Sequence, residues 1–227
     1  MRRFTVVGTD TGVCKTWVTD ALVRAASNRG VVAIGLKPIE SGVADDTKSD
    51  TALLATASSR QPNQTNLVQF EPAIAPGLIS GNGTEVNELV NFVEEQCSEL
   101  RTGIRESSAY HAAVCFVETA GGWYSPVSLR GDVRELAVKL ASPVIIVGKA
   151  SLGAINQTRL TASAVREAQL PIAAIVLSQR ATDEEGLAAQ NQGEIAERTG
   201  LPTVRLRVAA DANMLISTLR RDPNWGW

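Results

Sequence analysis

The stretch FTVVGTDTGVCKT (residues 4–16) joins a short apolar run to a glycine-containing turn that ends on Lys-Thr. A run of this kind, followed by a helix predicted from residue 15, is the local pattern of a phosphate-binding loop. In such a loop, backbone N–H groups at a helix N-terminus cup the phosphates, and the helix dipole favours negative charge. We therefore expect Lys15 to reach the terminal phosphates of a nucleotide and the Thr16 hydroxyl to ligate Mg²⁺.

The loop departs from the strict pattern G-x-x-x-x-G-K-[ST], which would place glycine at positions 9 and 14. The chain has Thr9 and Cys14 at these positions. A Cβ atom at position 14 should crowd the phosphates or change the backbone dihedral angles of the loop. From this segment alone, an ordinary strand–turn–helix with an incidental Lys-Thr remains an alternative.

Composition and charge indicate which classes of protein this chain can belong to. With 227 residues, of which 44% are hydrophobic and 20% charged, the chain is long enough for a single α/β domain over residues 1–227. A net charge of −2 gives no electrostatic footprint for nucleic acid or an acidic membrane. The N-terminal apolar run is too short for a signal peptide, and the apolar stretch at 143–148 is too short to span a bilayer. The three scattered cysteines favour reduced thiols, so we expect a cytoplasmic protein.

Short β-branched runs alternate with longer amphipathic stretches. The predicted strands are residues 4–7, 31–35, 113–117, 144–147, 173–177 and 203–206, and the predicted helices are 15–28, 85–105, 132–140, 154–168 and 184–199. The strands lack polar alternation, which indicates burial on both faces of a parallel sheet. The pattern predicts a doubly wound α/β fold with a mostly parallel sheet and helices on both faces. Residues 42–84 are the least regular part, a functional loop region or an insertion.

Three further polar residues follow or begin predicted elements. Lys37 comes directly after the second strand, at the sheet edge that carries the loop, where it can stabilise charge on a phosphoryl group or a carbamate. Glu118 ends the strand AAVCFVE and can hold Mg²⁺ directly or through water. Asp50 begins the helix DTALLATAS; it is a second candidate ligand, but its pattern favours a helix N-cap.

Other reactive groups give weaker signals. His111 is the only histidine and precedes an apolar strand, which favours a structural role over general-base chemistry. Cys14 lies at a helix N-terminus, where thiol pKa values fall, but no partner base lies nearby in the sequence. The tail DPNWGW carries two tryptophans, so we expect it to pack on the body or on a partner subunit.

Taken together, the segments resemble the dethiobiotin synthetase family over most of the chain and in the same order. The matching motifs are GTDTGVCKT (8–16), KPIESG (37–42), SDT (49–51), FEP with AP (70–72 and 75–76), ETAGGW (118–123) and LGAIN (152–156). The resemblance implies a homodimer that converts 7,8-diaminononanoate, CO₂ and a nucleoside triphosphate such as ATP into dethiobiotin with the help of Mg²⁺.

The resemblance also implies a role for each matching position. Catalysis would fall to Lys37, Lys15 and Thr11; nucleotide binding to Gly12, Val13, Cys14, Lys15, Thr16, Trp17, Glu118 and Gly121; substrate binding to Thr11, Lys37, Ser41, Gly153 and Asn156; and Mg²⁺ binding to Thr16, Asp50 and Glu118. On this interpretation, the segment from Gly153 to Asn156 comes from the second subunit and holds the carboxylate end of the diamine at the subunit interface.

Departures from the family concentrate on the nucleotide side. They are Cys14 and Thr119 in place of glycine, Lys149, the segment Leu177-Ser178-Gln179 and the pair Leu206-Arg207. The choice of nucleotide therefore stays open. Three alternatives also remain: a related amide- or urea-forming ATPase, a ParA/MinD-like switch, and a paralogue that has lost catalysis.

Overall fold

A computed structural model describes residues 1–45, 48–105 and 112–224. Its centre is a six-stranded, all-parallel sheet in the order β2-β5-β1-β6-β7-β8. These strands are β1 (Arg2–Gly8), β2 (Val32–Leu36), β5 (Ala113–Gly122), β6 (Val144–Lys149), β7 (Ile172–Ser178) and β8 (Thr203–Leu206). Two short strands, β3 (Ile39–Ser41) and β4 (Val68–Phe70), pair separately beside the sheet.

Helices cover both faces of this sheet. They are α1 (Lys15–Ser27), α2 (Asp50–Ala57), α3 (Val86–Arg105), α4 (Val133–Leu140), α5 (Ala154–Glu167), α6 (Glu185–Thr199) and α7 (Ala212–Arg221). Alternate residues of the strands point to two apolar cores, one shared with α3 to α6 and the other with α1 and α7. In the second core, the rings of Phe4 and Phe116 stack with centroids 5.7 Å apart. The doubly wound α/β fold predicted from the sequence is thus confirmed.

Burial explains why the strands read as continuous apolar runs. Every residue of β2 and β7 is buried, because helices lie on both sides of the sheet. The predicted strands and helices all occur, with ends that differ from the predicted ones by a few residues.

One predicted boundary is wrong in a way that affects function. Strand β5 does not end at Glu118 but runs on to Gly122, with a register shift against β1 between Val6 and Gly8. Pairing resumes beyond this shift, where Gly8 lies opposite Gly122. Glu118 is therefore inside a strand and fully buried.

Three elements are absent from the sequence prediction. Helix α7 was missed although its apolar positions, Ala212, Leu215, Ile216 and Leu219, have the spacing of an amphipathic helix; they pack in the core shared with α1. Strands β3 and β4 have only three residues each, fewer than a pattern of alternation needs.

The predictions for His111 and for the two tryptophans of the tail fall outside the described residues. Within the described part of the chain, no helix is long and apolar enough to cross a membrane.

Candidate active site

Glu118 is the centre of a polar cluster at the carboxyl edge of the sheet. Its Oε1 accepts a hydrogen bond from the Thr16 hydroxyl at 2.8 Å and lies 3.0 Å from Lys37 Nζ. Its Oε2 is buried and has no hydrogen-bond partner among the described residues. A fully buried carboxylate with one oxygen unpaired is costly unless a ligand completes it. This oxygen therefore marks where a cation or a donor group is expected.

Lys37 joins this cluster to helix α2. It follows β2 directly, and its buried ammonium group forms a second ion pair with Asp50. Burial opposes the charged form of Lys37, but the carboxylates of Glu118 and Asp50 outweigh it, so its pKa is raised above the ordinary lysine value. Lys37 is consequently a permanent cation at neutral pH.

Asp50 lies at the N-terminus of α2, but it is not the N-cap residue of this helix. Ser49 is the N-cap, and its side chain accepts from the Ala52 N–H at 3.1 Å. The interpretation of Asp50 as an N-cap is therefore wrong: Asp50 is the first helical residue, and its carboxylate turns toward Lys37 and the Thr16 hydroxyl. Although partial burial works in the opposite direction, these two contacts hold the pKa of Asp50 below its ordinary value.

The phosphate loop has an unusual residue at its end. Cys14, the residue before α1, has φ 64° and ψ 36°, the left-handed region that favours glycine. Cys14 thus occupies the backbone conformation of the glycine that it replaces, at a cost in strain. Gly8 at the start of the loop is required for a different reason, since a Cβ there would lie 2.7 Å from the Asp10 carbonyl oxygen.

Lys15 crosses the loop. Its Nζ donates to the Gly121 carbonyl at 2.8 Å and contacts that of Asp10 at 3.3 Å. Burial lowers the pKa of Lys15, and the neighbouring charge of Lys37 lowers it further, against the opposing pull of Glu118. The carbonyl contacts hold the ammonium group over the loop, where phosphate oxygens could replace them.

The cluster and the loop line one cavity of about 460 Å³. Of the residues predicted for the site, the cavity is lined by Thr11, Gly12, Cys14, Lys15, Thr16, Trp17, Lys37, Ser41, Asp50, Glu118 and Gly121. Val13 is buried in the core below the loop, with its carbonyl accepting from the Ser178 hydroxyl. The fold therefore brings together side chains that lie more than one hundred positions apart in the sequence.

Gly153 and Asn156 do not join this cavity. They lie at the start of α5 and line a separate cavity of about 800 Å³ with Leu152, Arg159 and residues of α6. Within one chain they are thus not assembled with Lys37. Their predicted role needs a second subunit, and it stays a prediction.

Sequence reasoning missed Arg180. It follows β7 at the same edge of the sheet, and it lines the cavity together with Lys15 and Trp17. Its position after a buried strand is the signal that could have identified it.

Two of the departures from the family have structural explanations. The Thr119 hydroxyl donates to the Val6 carbonyl at 3.1 Å, so this side chain is accommodated in the irregular pairing of β1 and β5. Ser178 is likewise committed, because its hydroxyl contacts the carbonyls of Val13 and Gly148. Both hydroxyl groups therefore already donate hydrogen bonds within the chain.

The parallel sheet, the loop at its carboxyl edge and the lysine–carboxylate cluster define an α/β nucleotide-binding protein of the phosphate-loop class. The profile of the AAA domain family matches residues 2–209. The ATP-dependent dethiobiotin synthetase BioD of Anaeromyxobacter dehalogenans (strain 2CP-C) is 39% identical over 202 residues, which cover 88% of this chain and 86% of that protein. The protein of the same name from Chromohalobacter salexigens is 35% identical over 182 residues, 76% of this chain and 72% of that protein. The chain belongs to the dethiobiotin synthetase family, a family of ATP-dependent ligases.

A solved structure shares the fold at much lower identity. The MinC:MinD cell division protein complex of Aquifex aeolicus matches with a TM-score of 0.52 and 10% identity, over 95% of this chain and 86% of that one. At this identity the likeness shows the fold alone.

Proposed function

We propose that this chain forms the cyclic urea of dethiobiotin from 7,8-diaminononanoate, CO₂ and ATP. Membership of the family supports the reaction. One observation carries the proposal for this chain. The Thr16 hydroxyl and the Lys37 ammonium group both contact the same buried carboxylate, that of Glu118. That contact joins the phosphate loop to the residues expected to act on the carbamate.

In this reaction, one amine of the substrate adds to CO₂, loses a proton and becomes a carbamate. A carbamate oxygen attacks the γ-phosphorus of ATP, and ADP leaves. The second amine then attacks the carbamoyl carbon, phosphate leaves with the C–O bond electrons, and the amine proton is released. The result is a five-membered urea, with one ATP consumed for each ring.

Lys15 and Lys37 supply positive charge on either side of the group that is transferred. Lys15 stabilises the oxygens of the terminal phosphates, and Lys37 stabilises the carbamate and the mixed anhydride. Thr11 and Ser41, at the same cavity, orient the diamine. Phosphoryl transfer depends mainly on positioning and charge stabilisation, which these groups provide without a covalent enzyme intermediate.

The residues present fit Mg²⁺. The Thr16 hydroxyl, the Asp50 carboxylate and the unpaired Oε2 of Glu118 are hard oxygen donors of the kind that Mg²⁺ prefers. The described residues contain no group of three or more carboxylate, histidine or cysteine ligands. Mg²⁺ commonly binds through one or two carboxylates together with substrate phosphates and water. When bound, the ion would neutralise charge on the β- and γ-phosphates.

The proposal extends to the assembly of the protein. We infer one domain over residues 1–227 that acts as a homodimer, with Gly153 and Asn156 of one subunit completing the diamine site of the other. A cavity of about 700 Å³ beside the loop, lined by Asp10, Tyr124 and Leu160, supports this arrangement because it opens next to exposed apolar side chains. The cysteines are free, which supports a reducing, cytoplasmic location.

The test is a direct assay of the purified chain. It is incubated with 7,8-diaminononanoate, bicarbonate, Mg²⁺ and each common nucleoside triphosphate in turn, and both phosphate and dethiobiotin are measured. We expect dethiobiotin and phosphate in equal amounts, with ATP as a competent substrate. No dethiobiotin with any nucleotide refutes the proposal. Hydrolysis without the diamine would favour a switch, and no activity at all a paralogue without catalysis.

A further inference from the structure

We propose that Arg180 is an additional ligand of the triphosphate and compensates for the altered loop. The inference rests on the proposed nucleotide site, to which it adds a residue that neither the loop motif nor the family motifs contain. Arg180 is exposed, and it lines the cavity of Lys15, Thr16 and Trp17. Because these residues begin α1, a side chain that lines this cavity is within the region expected for the phosphates.

The backbone of Arg180 is fixed relative to the phosphate loop. Two residues earlier, the Ser178 hydroxyl donates to the loop carbonyl of Val13 at 2.9 Å. The Gln179 N–H donates to the Leu206 carbonyl at 2.8 Å. The Arg180 N–H donates to the Asp183 carboxylate at 2.7 Å, and its carbonyl accepts from the Asp183 N–H. These bonds leave only the side chain of Arg180 free to adjust to a ligand.

The guanidinium group of Arg180 is uncommitted, in contrast to those of its neighbours. Arg205 pairs with Glu185 at 2.7 Å, and Arg207 pairs with Asp211 at 3.6 Å. Across the described ranges, no hydrogen bond or ion pair involves the side chain of Arg180. A planar guanidinium group can donate two parallel hydrogen bonds to phosphate oxygens, and it is less strongly hydrated than an ammonium group.

The net charge of the cavity explains why a further cation such as the Arg180 guanidinium group would favour triphosphate binding. Lys15 and Lys37 are matched by Asp50 and Glu118, so these four side chains sum to zero charge. A triphosphate is a polyanion, and the Mg²⁺ ion proposed for this site would offset only part of its charge. In addition, Cys14 presents a Cβ where a glycine would expose bare backbone to the phosphates. A further cation offsets both disadvantages.

The experiment measures equilibrium binding of inorganic triphosphate and of ATP by calorimetry, each with Mg²⁺ and without diamine. We expect Arg180→Ala to weaken the binding of both ligands by about tenfold or more, since charge-assisted hydrogen bonds to phosphate are about twice as strong as neutral ones. Arg180→Lys should give an intermediate loss. The control is Arg24→Ala, which removes an arginine already paired with Asp20 in the last turn of α1, away from the loop, and should leave both affinities unchanged.

Each result bears on the inference. Unchanged triphosphate binding in Arg180→Ala overturns it. A loss confined to ATP also overturns it, because the contact would then be with the base or the ribose. An unmodified chain that binds neither ligand overturns it as well. Because no diamine is present, a chain that makes no dethiobiotin but loses triphosphate affinity in Arg180→Ala supports this inference while refuting the proposed reaction. A urea titration of Arg180→Ala, expected to match the unmodified chain, shows that the loss is not one of folding.

Discussion

Cys14 combines the backbone of a glycine with the side chain of a cysteine. Its positive φ costs a non-glycine residue about 1–2 kcal/mol, which the rest of the loop must sustain. Loop geometry is thus retained at this position although the residue type is not. The cost is local strain and a Cβ beside the proposed phosphate position.

Cys14→Gly is expected to relieve both effects. Stability should rise by up to about 1 kcal/mol, because relief of strain exceeds the extra entropy that glycine gives the unfolded chain. The dissociation constant for ATP should fall as well. Urea unfolding and calorimetry measure the two effects. Cys14→Ala is the matched control: it removes the sulfur but keeps the Cβ and the strain, so equal tightening in this variant would show that the Cβ is not responsible.

Lys37 has a structural and a catalytic role, and the two can be separated. Lys37→Ala should abolish dethiobiotin formation, while ATP binding falls much less because Lys15 remains. The variant should also lose about 3–5 kcal/mol of stability, since it leaves Glu118 buried without a cation. Turnover, ATP affinity and urea unfolding are measured together.

ATP binding shows whether inactivity is only a loss of folding. A Lys37→Ala variant that still binds ATP is folded under the assay conditions, so its lack of turnover then follows from the missing ammonium group. Normal turnover in this variant would refute the role of Lys37.

At the scale of elements, the N-terminus of α2 fixes the position of Asp50. Glu40 on β3 accepts from the Asp50 N–H at 2.7 Å and from the Thr51 hydroxyl at 2.6 Å. Ser49 caps the same turn. The side chain of Asp50 is itself about half exposed, so its position depends on this backbone framework rather than on burial.

Ser49→Ala should therefore affect the position of the neighbouring residue, Asp50. It should cost about 1 kcal/mol of stability through loss of the cap, and it should raise the Mg²⁺ concentration needed for half-maximal ATP binding because Asp50 is less well held. Thr56→Ala is the control, since the Thr56 hydroxyl bonds only within the exposed part of the same helix. If Ser49→Ala leaves the Mg²⁺ requirement as in Thr56→Ala, the Ser49 cap does not position Asp50 for the metal.

At the scale of the whole molecule, the proposed diamine site depends on a second subunit. Leu152, which precedes α5, and Leu160 within α5 are 89% and 63% exposed, and Leu160 lines the cavity beside Asp10 of the phosphate loop. Exposed apolar side chains grouped next to a functional site are typical of an interface. A subunit docked here would bring its own residues close to the loop.

Leu160→Glu is expected to convert a dimer into a monomer, because it buries a charge in the contact. Diamine-dependent turnover should be lost while ATP binding persists, as measured by sedimentation, dethiobiotin formation and calorimetry. Met214→Glu places the same charge at an exposed position of α7, on the opposite face of the sheet, and should leave the dimer intact. A Leu160→Glu variant with full turnover as a monomer would contradict the shared site.

The sequence by itself determined the order of elements and the fold. Apolar runs such as those of β2 and β7 are local signals, and the alternation of strand and helix permits few arrangements of a parallel sheet. Lys15, Thr16 and Lys37 could also be predicted, because the carboxyl ends of parallel strands meet at one edge.

Only the tertiary structure decided how these residues contact one another. The burial of Glu118 depends on the pairing of β1 with β5, which no local pattern encodes. The partners of Asp50 and the unpaired guanidinium group of Arg180 follow from packing between distant segments. Periodicity reports which side of an element is buried, whereas charge pairing depends on distances of a few ångströms across the fold.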